Sequence, residues 1–194
     1  MRFSRIAGTS LALLGGYFTL KWFLRGHVAD EKLLVSGVLY HWTAITILGF
    51  GWSMWLIKSK STTRQFWGDF KLLAQPLAMY AIVASMSAWS WNYIVDNDRV
   101  DLKRAALQAE LEVHTHSEQS WNEFLSIQKE AIQKEWRTKG RETYRQEVSE
   151  QIDNVNSPTR FLAIALLGYM FAALIVSLGA TLLLHHIWGI ASLR

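Results

Sequence analysis

Residues 96–158 read DNDRVDLKRAALQAELEVHTHSEQSWNEFLSIQKEAIQKEWRTKGRETYRQEVSEQIDNVNSP, and how this stretch is placed decides the fold. It carries nine Lys and Arg, ten when Arg160 just beyond it is counted, against thirteen Asp and Glu. Gly140 is its single glycine, and its spacing of apolar residues is helical. On both sides the chain changes character. Long, nearly uncharged runs stand before and after it, so the polar stretch is an insert between membrane segments.

The whole chain agrees with that division. Of 194 residues, 51% are hydrophobic and 19% charged, with ten tryptophans and two prolines. The apolar residues come in blocks rather than periodically, which marks a membrane protein. The net charge of +4 is spread over the ends of apolar runs, not gathered in one stripe, so direct nucleic-acid binding is not expected. The absence of cysteine excludes disulfides, thiol chemistry and cysteine-based zinc sites.

Four spans are expected. Ile6 to Leu24 follows a basic leader and has the length of about 20 residues that a bilayer requires. A signal peptide would begin in the same way, but no small-residue cleavage site follows, because Lys21, Trp22, Phe23 and Leu24 stand there. Gly8, Ala12 and Gly16 put three small residues on one face. Lys21 is expected to snorkel to the interface beside Trp22. Leu33 to Ile57 is the second span and contains His41, an ionisable residue inside a membrane segment and hence a possible intramembrane polar site. The competing reading is a neutral imidazole bonded to a neighbouring helix.

Leu72 to Val95 is the third span, with Pro76 in its first turns. Ala74, Ala78, Ala81, Ser85 and Ala88 step by four, three, four and three, a small-residue seam suited to close helix packing or to association between copies. Arg160 to His186 is the fourth span, opened by Ser157 as N-cap and Pro158 at the first helical position. Gly168 and Ala172 form a further small pair, and His185, His186 and Trp188 are read as interfacial.

The fold class is therefore all-α: a polytopic membrane protein with four transmembrane helices and a long, coiled-coil-like helical insert. The divisions are a three-span region at 1–95, the insert at 96–158, and the fourth span with the C-terminus at 159–194. Arg2, Arg5, Lys58, Lys60 and Arg64 bias the orientation toward cytoplasmic termini, which places the insert in the periplasm of a bacterial inner membrane.

Within the insert, Asp96 to Val113 is expected to continue the third span as a helix. Thr115 and Glu118 have capping-box spacing for the next helix. Trp121, Leu125, Ile132 and Trp136 then form one apolar stripe on a long return helix broken at Gly140. A stripe of this kind needs a covering surface, either a neighbouring helix of the same chain or copies of it, and these four residues are taken as the expected partner interface. His114 and His116 lie near Glu110 and Glu118, but their spacing does not make a metal motif.

No phosphate loop, nucleophile elbow, zincin pair or nucleotide fingerprint occurs, and no cofactor or metal is expected. The reading is a non-catalytic, homo-oligomeric membrane subunit that touches lipid and presents its insert to a protein partner or as a sensor. Secretion or conjugation machinery and anti-phage defence complexes are contexts of that class. The alternative is a homo-oligomeric channel gated by the insert, and a third reading is an enzyme acting on lipid through His41 and the interfacial His185 and His186.

Overall fold

The computed structural model describes residues 3–28, 30–58 and 65–192. Arg2, Lys60 and Arg64, and the side chains of Arg5, Lys58 and Trp188, lie outside what it describes. The described residues are helical with no strand: α1 Phe3–Leu24, α2 Asp30–Lys58, α3 Phe66–Ser90, a π-turn Trp91–Val95, α4 Asn97–Thr115, α5 Glu118–Ser126, α6 Glu130–Lys139, α7 Arg141–Val155 and α8 Pro158–Ser192. Three stretches among them are long and apolar enough to cross a membrane: Lys32–Leu56, Phe66–Val95 and Pro158–Ile187. α1 is a 22-residue helix but is not one of the three.

The chain divides into two compact units, residues 1–89 with 162–194, and residues 90–161. In its interior the first unit mixes large apolar side chains, such as Ile45, Leu73, Leu77 and Leu184, with many small and polar ones, among them Ala44, Ser53, Ala81, Ala84, Ser85, Ala172, Ala173, Ser177, Ala180 and Thr181. Its surface holds large apolar ones, such as Leu167 at 72% and Phe171 at 61% exposure. Water would disfavour so apolar a surface, whereas in lipid the large residues can face the solvent chains and the small ones let helices approach. The buried hydroxyls are satisfied within their own helices: Ser85 donates to the Ala81 carbonyl at 2.8 Å, Ser177 to Ala173 at 2.6 Å and Thr181 to Ser177 at 2.7 Å.

α3 begins at Phe66, before the start of the apolar run, so Pro76 lies well inside the helix rather than in its first turns. Its missing N–H removes one intrahelical bond, a loss that membrane helices tolerate when neighbours pack around it, and Pro76 is buried. α8 starts as its sequence implies, with the Arg160 N–H donating to the Ser157 hydroxyl at 3.3 Å.

The second unit contains four α-helices, α4 to α7, one more than a helix over 96–113 followed by a return helix broken at Gly140 would give. The helix over 97–115 is separated from the π-turn by Asp96, whose φ of −128° and ψ of 36° are not helical. Ser117, not Thr115, caps α5: its hydroxyl accepts the Ser120 N–H at 3.1 Å. Thr115 instead donates back to the Leu111 carbonyl at 2.7 Å and is buried. The expected break at Gly140 is present, with φ +88°, a conformation glycine adopts without steric cost. A second break, between Ser126 and Glu130, divides the return helix that the sequence pattern treats as continuous there.

Candidate functional site

In the first unit the polar residues that sequence reading scatters are gathered around His41. α1 and α2 run antiparallel, which brings Tyr17 and Lys21 against Gly37, Tyr40 and His41. A Cβ on Gly37 would lie 2.8 Å from Lys21 Cε and 3.3 Å from Tyr17 Cε2, so glycine makes room for the lysine stem. Lys21 is 2% exposed and its ammonium donates to the Leu33 carbonyl. It therefore does not snorkel outward as expected; the helix pair encloses it and a backbone oxygen satisfies it. Trp22 beside it is 66% exposed.

His41 is fully buried. Its Nδ1 lies 3.1 Å from the Tyr80 hydroxyl, which is contributed by α3. Its ring centroid is 4.4 Å from that of Tyr17 and 5.1 Å from that of Tyr169 on α8. Nε2 is buried without a hydrogen-bond partner. All four helices of the unit thus meet at one imidazole. The partners are one tyrosine hydroxyl and the rings of Tyr17 and Tyr169, and no carboxylate hydrogen-bonds to the imidazole among the described residues. Such a set can fix the orientation of an imidazole, but it lacks the acid–base pairing of a catalytic dyad. The sequence marks His41 as unusual, but gives no hint of its tyrosine partners, which sit on three other helices.

The small residues expected to pack helices fall into two groups. Ala81, Ser85, Ala88 and Ala172 are buried inside the chain's own bundle, and Ala74 and Ala78 are half-buried. Gly16 is needed for a contact within the chain: Tyr40 donates to the Leu13 carbonyl at 2.7 Å, and a Cβ on Gly16 would lie 2.5 Å from that hydroxyl oxygen. Gly8, Ala12 and Gly168 are exposed.

A second polar contact joins two residues that nothing in the sequence pairs. His185, expected at the interface, reaches Asp69 at 3.1 Å and ties α8 to the first turn of α3. A carboxylate is favoured at that helix N-terminus. Phe66 packs on the imidazole, with ring centroids 5.5 Å apart.

The second unit is closed by a polar ladder and an aromatic cluster. Arg104 pairs with Asp153 at 2.7 Å, Gln108 with Ser149 at 3.1 Å, and Arg145 with Glu112 at 3.0 Å. These three rungs keep one antiparallel register between α4 and α7. Tyr144 is the centre of the cluster, with Trp136 at 4.8 Å, Trp121 at 5.0 Å and Phe124 at 5.3 Å between ring centroids. Burial, and then the nearby Glu110 carboxylate, push the Tyr144 phenol up from its ordinary pKa.

The four residues of the expected interface therefore do not share one environment. Trp121 and Leu125 on α5 are buried at 5% and 0% exposure. On α6, Trp136 is half-buried under Tyr144 with the Lys139 ammonium 4.6 Å from its ring, and Ile132 is exposed. The break after Ser126 separates the two pairs.

His114 packs on Phe124, with centroids 4.9 Å apart, whereas the His116 ring lies against the Val113 carbonyl at 2.9 Å. Among the described residues no group of three or more His, Cys, Asp or Glu is placed to hold a metal ion. No protein-family model, curated protein or solved structure matches the chain.

Proposed function

We propose that this protein is a non-catalytic membrane subunit whose insert binds another protein. In this reading α1 joins the three apolar stretches as a fourth span in a bacterial inner membrane. The basic residues near the N-terminus and around Lys58 hold both termini in the cytoplasm, and the insert stands in the periplasm. The observation that carries the reading is the character of the insert's surface. The unit encloses its own aromatic core, yet leaves Leu102, Val113, Ile127 and Val155 exposed at 71%, 62%, 77% and 59%. Single exposed apolar residues are ordinary, but Leu102 and Val113 share one face of α4, opposite the buried Leu111. Many of the ionisable side chains of the insert are already joined in ion pairs between its own helices, which suits a scaffold better than a reaction centre.

A photoreactive amino acid placed at Leu102 or Ile127 of the full chain in native membranes tests this. The expected result is a protein adduct at these positions and none at Asp153, which Arg104 occupies. Adducts to lipid alone, or none, would remove the reading.

A further inference from the structure

We infer that the outward face of α4 is a self-association seam and that its occupant is α4 of a second copy of this chain. The inference rests on the insert being a partner-binding unit and names the partner.

Leu102, Ala106, Ala109 and Val113 step by four, three and four, so they fall within a narrow arc of the helix. The arc is directly opposite Leu111 and Thr115, which face the insert's own core. All four stripe residues are exposed in the single chain. The order is large, small, small, large. Two alanines in the middle allow close approach of a second helix, and Leu102 and Val113 fill the ends.

Charge selects the occupant. Lys103 and Glu110 line one flank of the stripe, and Asp98, Ala105 and Glu112 line the other. Lys103 and Glu110 are exposed, and neither makes an ion pair within the chain among the described residues, although the Glu110 carboxylate also lies near the Tyr144 phenol. If two α4 helices lie parallel, heptad geometry brings Lys103 opposite Asp98 of the second copy. If they lie antiparallel, Lys103 comes opposite Glu110 of the second copy. In both senses the lysine meets an acid, and two-fold symmetry supplies the contact twice. The seam has only four layers, too short to hold two free helices together in water. Anchoring in one bilayer raises the effective concentration of copies and removes that difficulty.

The chain has no cysteine, so introduced thiols report without background. Ala106→Cys and Ala109→Cys are placed in the full chain and oxidised mildly in membranes. A parallel pair links each variant to its own copy, and an antiparallel pair links the two variants when they are co-expressed. Either way a product of twice the 22.3 kDa chain mass is expected, several-fold more abundant than from Gln151→Cys on exposed α7. Lys103→Glu lowers the yield several-fold, and adding Asp98→Lys (parallel) or Glu110→Lys (antiparallel) recovers it. No linkage at 106 or 109 in either format, or a yield equal to that of Gln151→Cys, overturns the inference. If that occurs while a probe at Leu102 or Ile127 still captures a different protein, partner binding stands and only the occupant is wrong. If the probes capture nothing, both readings fall.

Discussion

His41 and Tyr80, 39 positions apart, meet at 3.1 Å in the buried centre of the first unit, and each is the other's side-chain hydrogen-bond partner. The pair joins α2 to α3, and Tyr17 and Tyr169 close over the imidazole from α1 and α8. A buried polar contact of this kind costs most when only one partner is removed. Tyr80→Phe leaves both imidazole nitrogens without a hydrogen bond and is expected to destabilise the detergent-solubilised protein by about 1–3 kcal/mol. His41→Phe with Tyr80→Phe removes both polar ends and should be less harmful than the second change alone. Thermal unfolding of the two variants checks this. An unchanged Tm for Tyr80→Phe would mean that the contact contributes nothing.

Gly49 is where α2 comes close to both α3 and α8. A Cβ there would overlap Val176 Cγ1 and lie 3.2 Å from Leu77 Cδ1. Valine is branched at Cβ and turns poorly out of the way. Gly49→Ala is therefore expected to cost about 1–3 kcal/mol. Gly51→Ala, where nothing lies within 4 Å, should be neutral or slightly stabilising. Comparing the two melting temperatures in one detergent separates packing from helix propensity.

The insert makes a sharper distinction among residues that look equivalent in sequence. Trp121 is 5% exposed and touches Phe124 and Tyr144, so Trp121→Ala should cost about 3–5 kcal/mol in local stability. Ile132→Ala, at 38% exposure, should cost less than about 1 kcal/mol. Amide hydrogen exchange across residues 97–155 is the appropriate readout, because it reports the insert separately from the spans. Equal loss of protection in the two variants would contradict the division of the stripe.

Tyr144 carries a pH prediction. Its phenol is raised above the ordinary value of 10.0 by burial and by Glu110. At high pH the unfolded chain therefore gives up this proton more readily than the folded one, and stability falls as pH rises. The contribution is fully present below pH 10 and disappears as pH climbs through the raised folded-state value. Hydrogen exchange of the insert, followed above pH 10, should show opening in the parent chain that Tyr144→Phe reduces. Identical pH profiles would contradict this.

The limits of the sequence reading have physical causes. Three apolar stretches are plain because lipid demands long uncharged runs, and no distant contact is needed to see them. The Ser157–Pro158 start of α8 and the break at Gly140 are also local, written in capping and in backbone conformation. Contacts between distant residues leave no such trace. Asp69 and His185 are 116 positions apart, and nothing near either one announces the other. Lys21 at the end of an apolar run looks like an interfacial lysine, and only the neighbouring Gly37 and the Leu33 carbonyl explain its burial. The stripe from Trp121 to Trp136 keeps a helical period, but the chain turns out of helix between its halves. Gln128, which interrupts the apolar spacing, lies in that turn, where its carbonyl accepts from Gln133 at 2.8 Å. The outward stripe of α4, Leu102, Ala106, Ala109 and Val113, is not picked out by sequence reading; it stands out only once Leu111 and Thr115 are seen to turn inward.

The side of the membrane that the insert occupies relative to the chain ends distinguishes a four-span anchor from one in which α1 does not cross. Four spans put the insert opposite both termini. If α1 does not cross, two crossings put the N-terminus on the same side as the insert and leave only the C-terminus opposite. Labelling Gln151→Cys, and separately cysteines added at each terminus, with a membrane-impermeant maleimide on intact cells whose outer membrane is permeabilised distinguishes the cases. With four spans, residue 151 is labelled and both termini are protected until the inner membrane is opened. Labelling of the N-terminus together with residue 151 would contradict the four-span anchor, and protection of residue 151 would contradict the periplasmic insert.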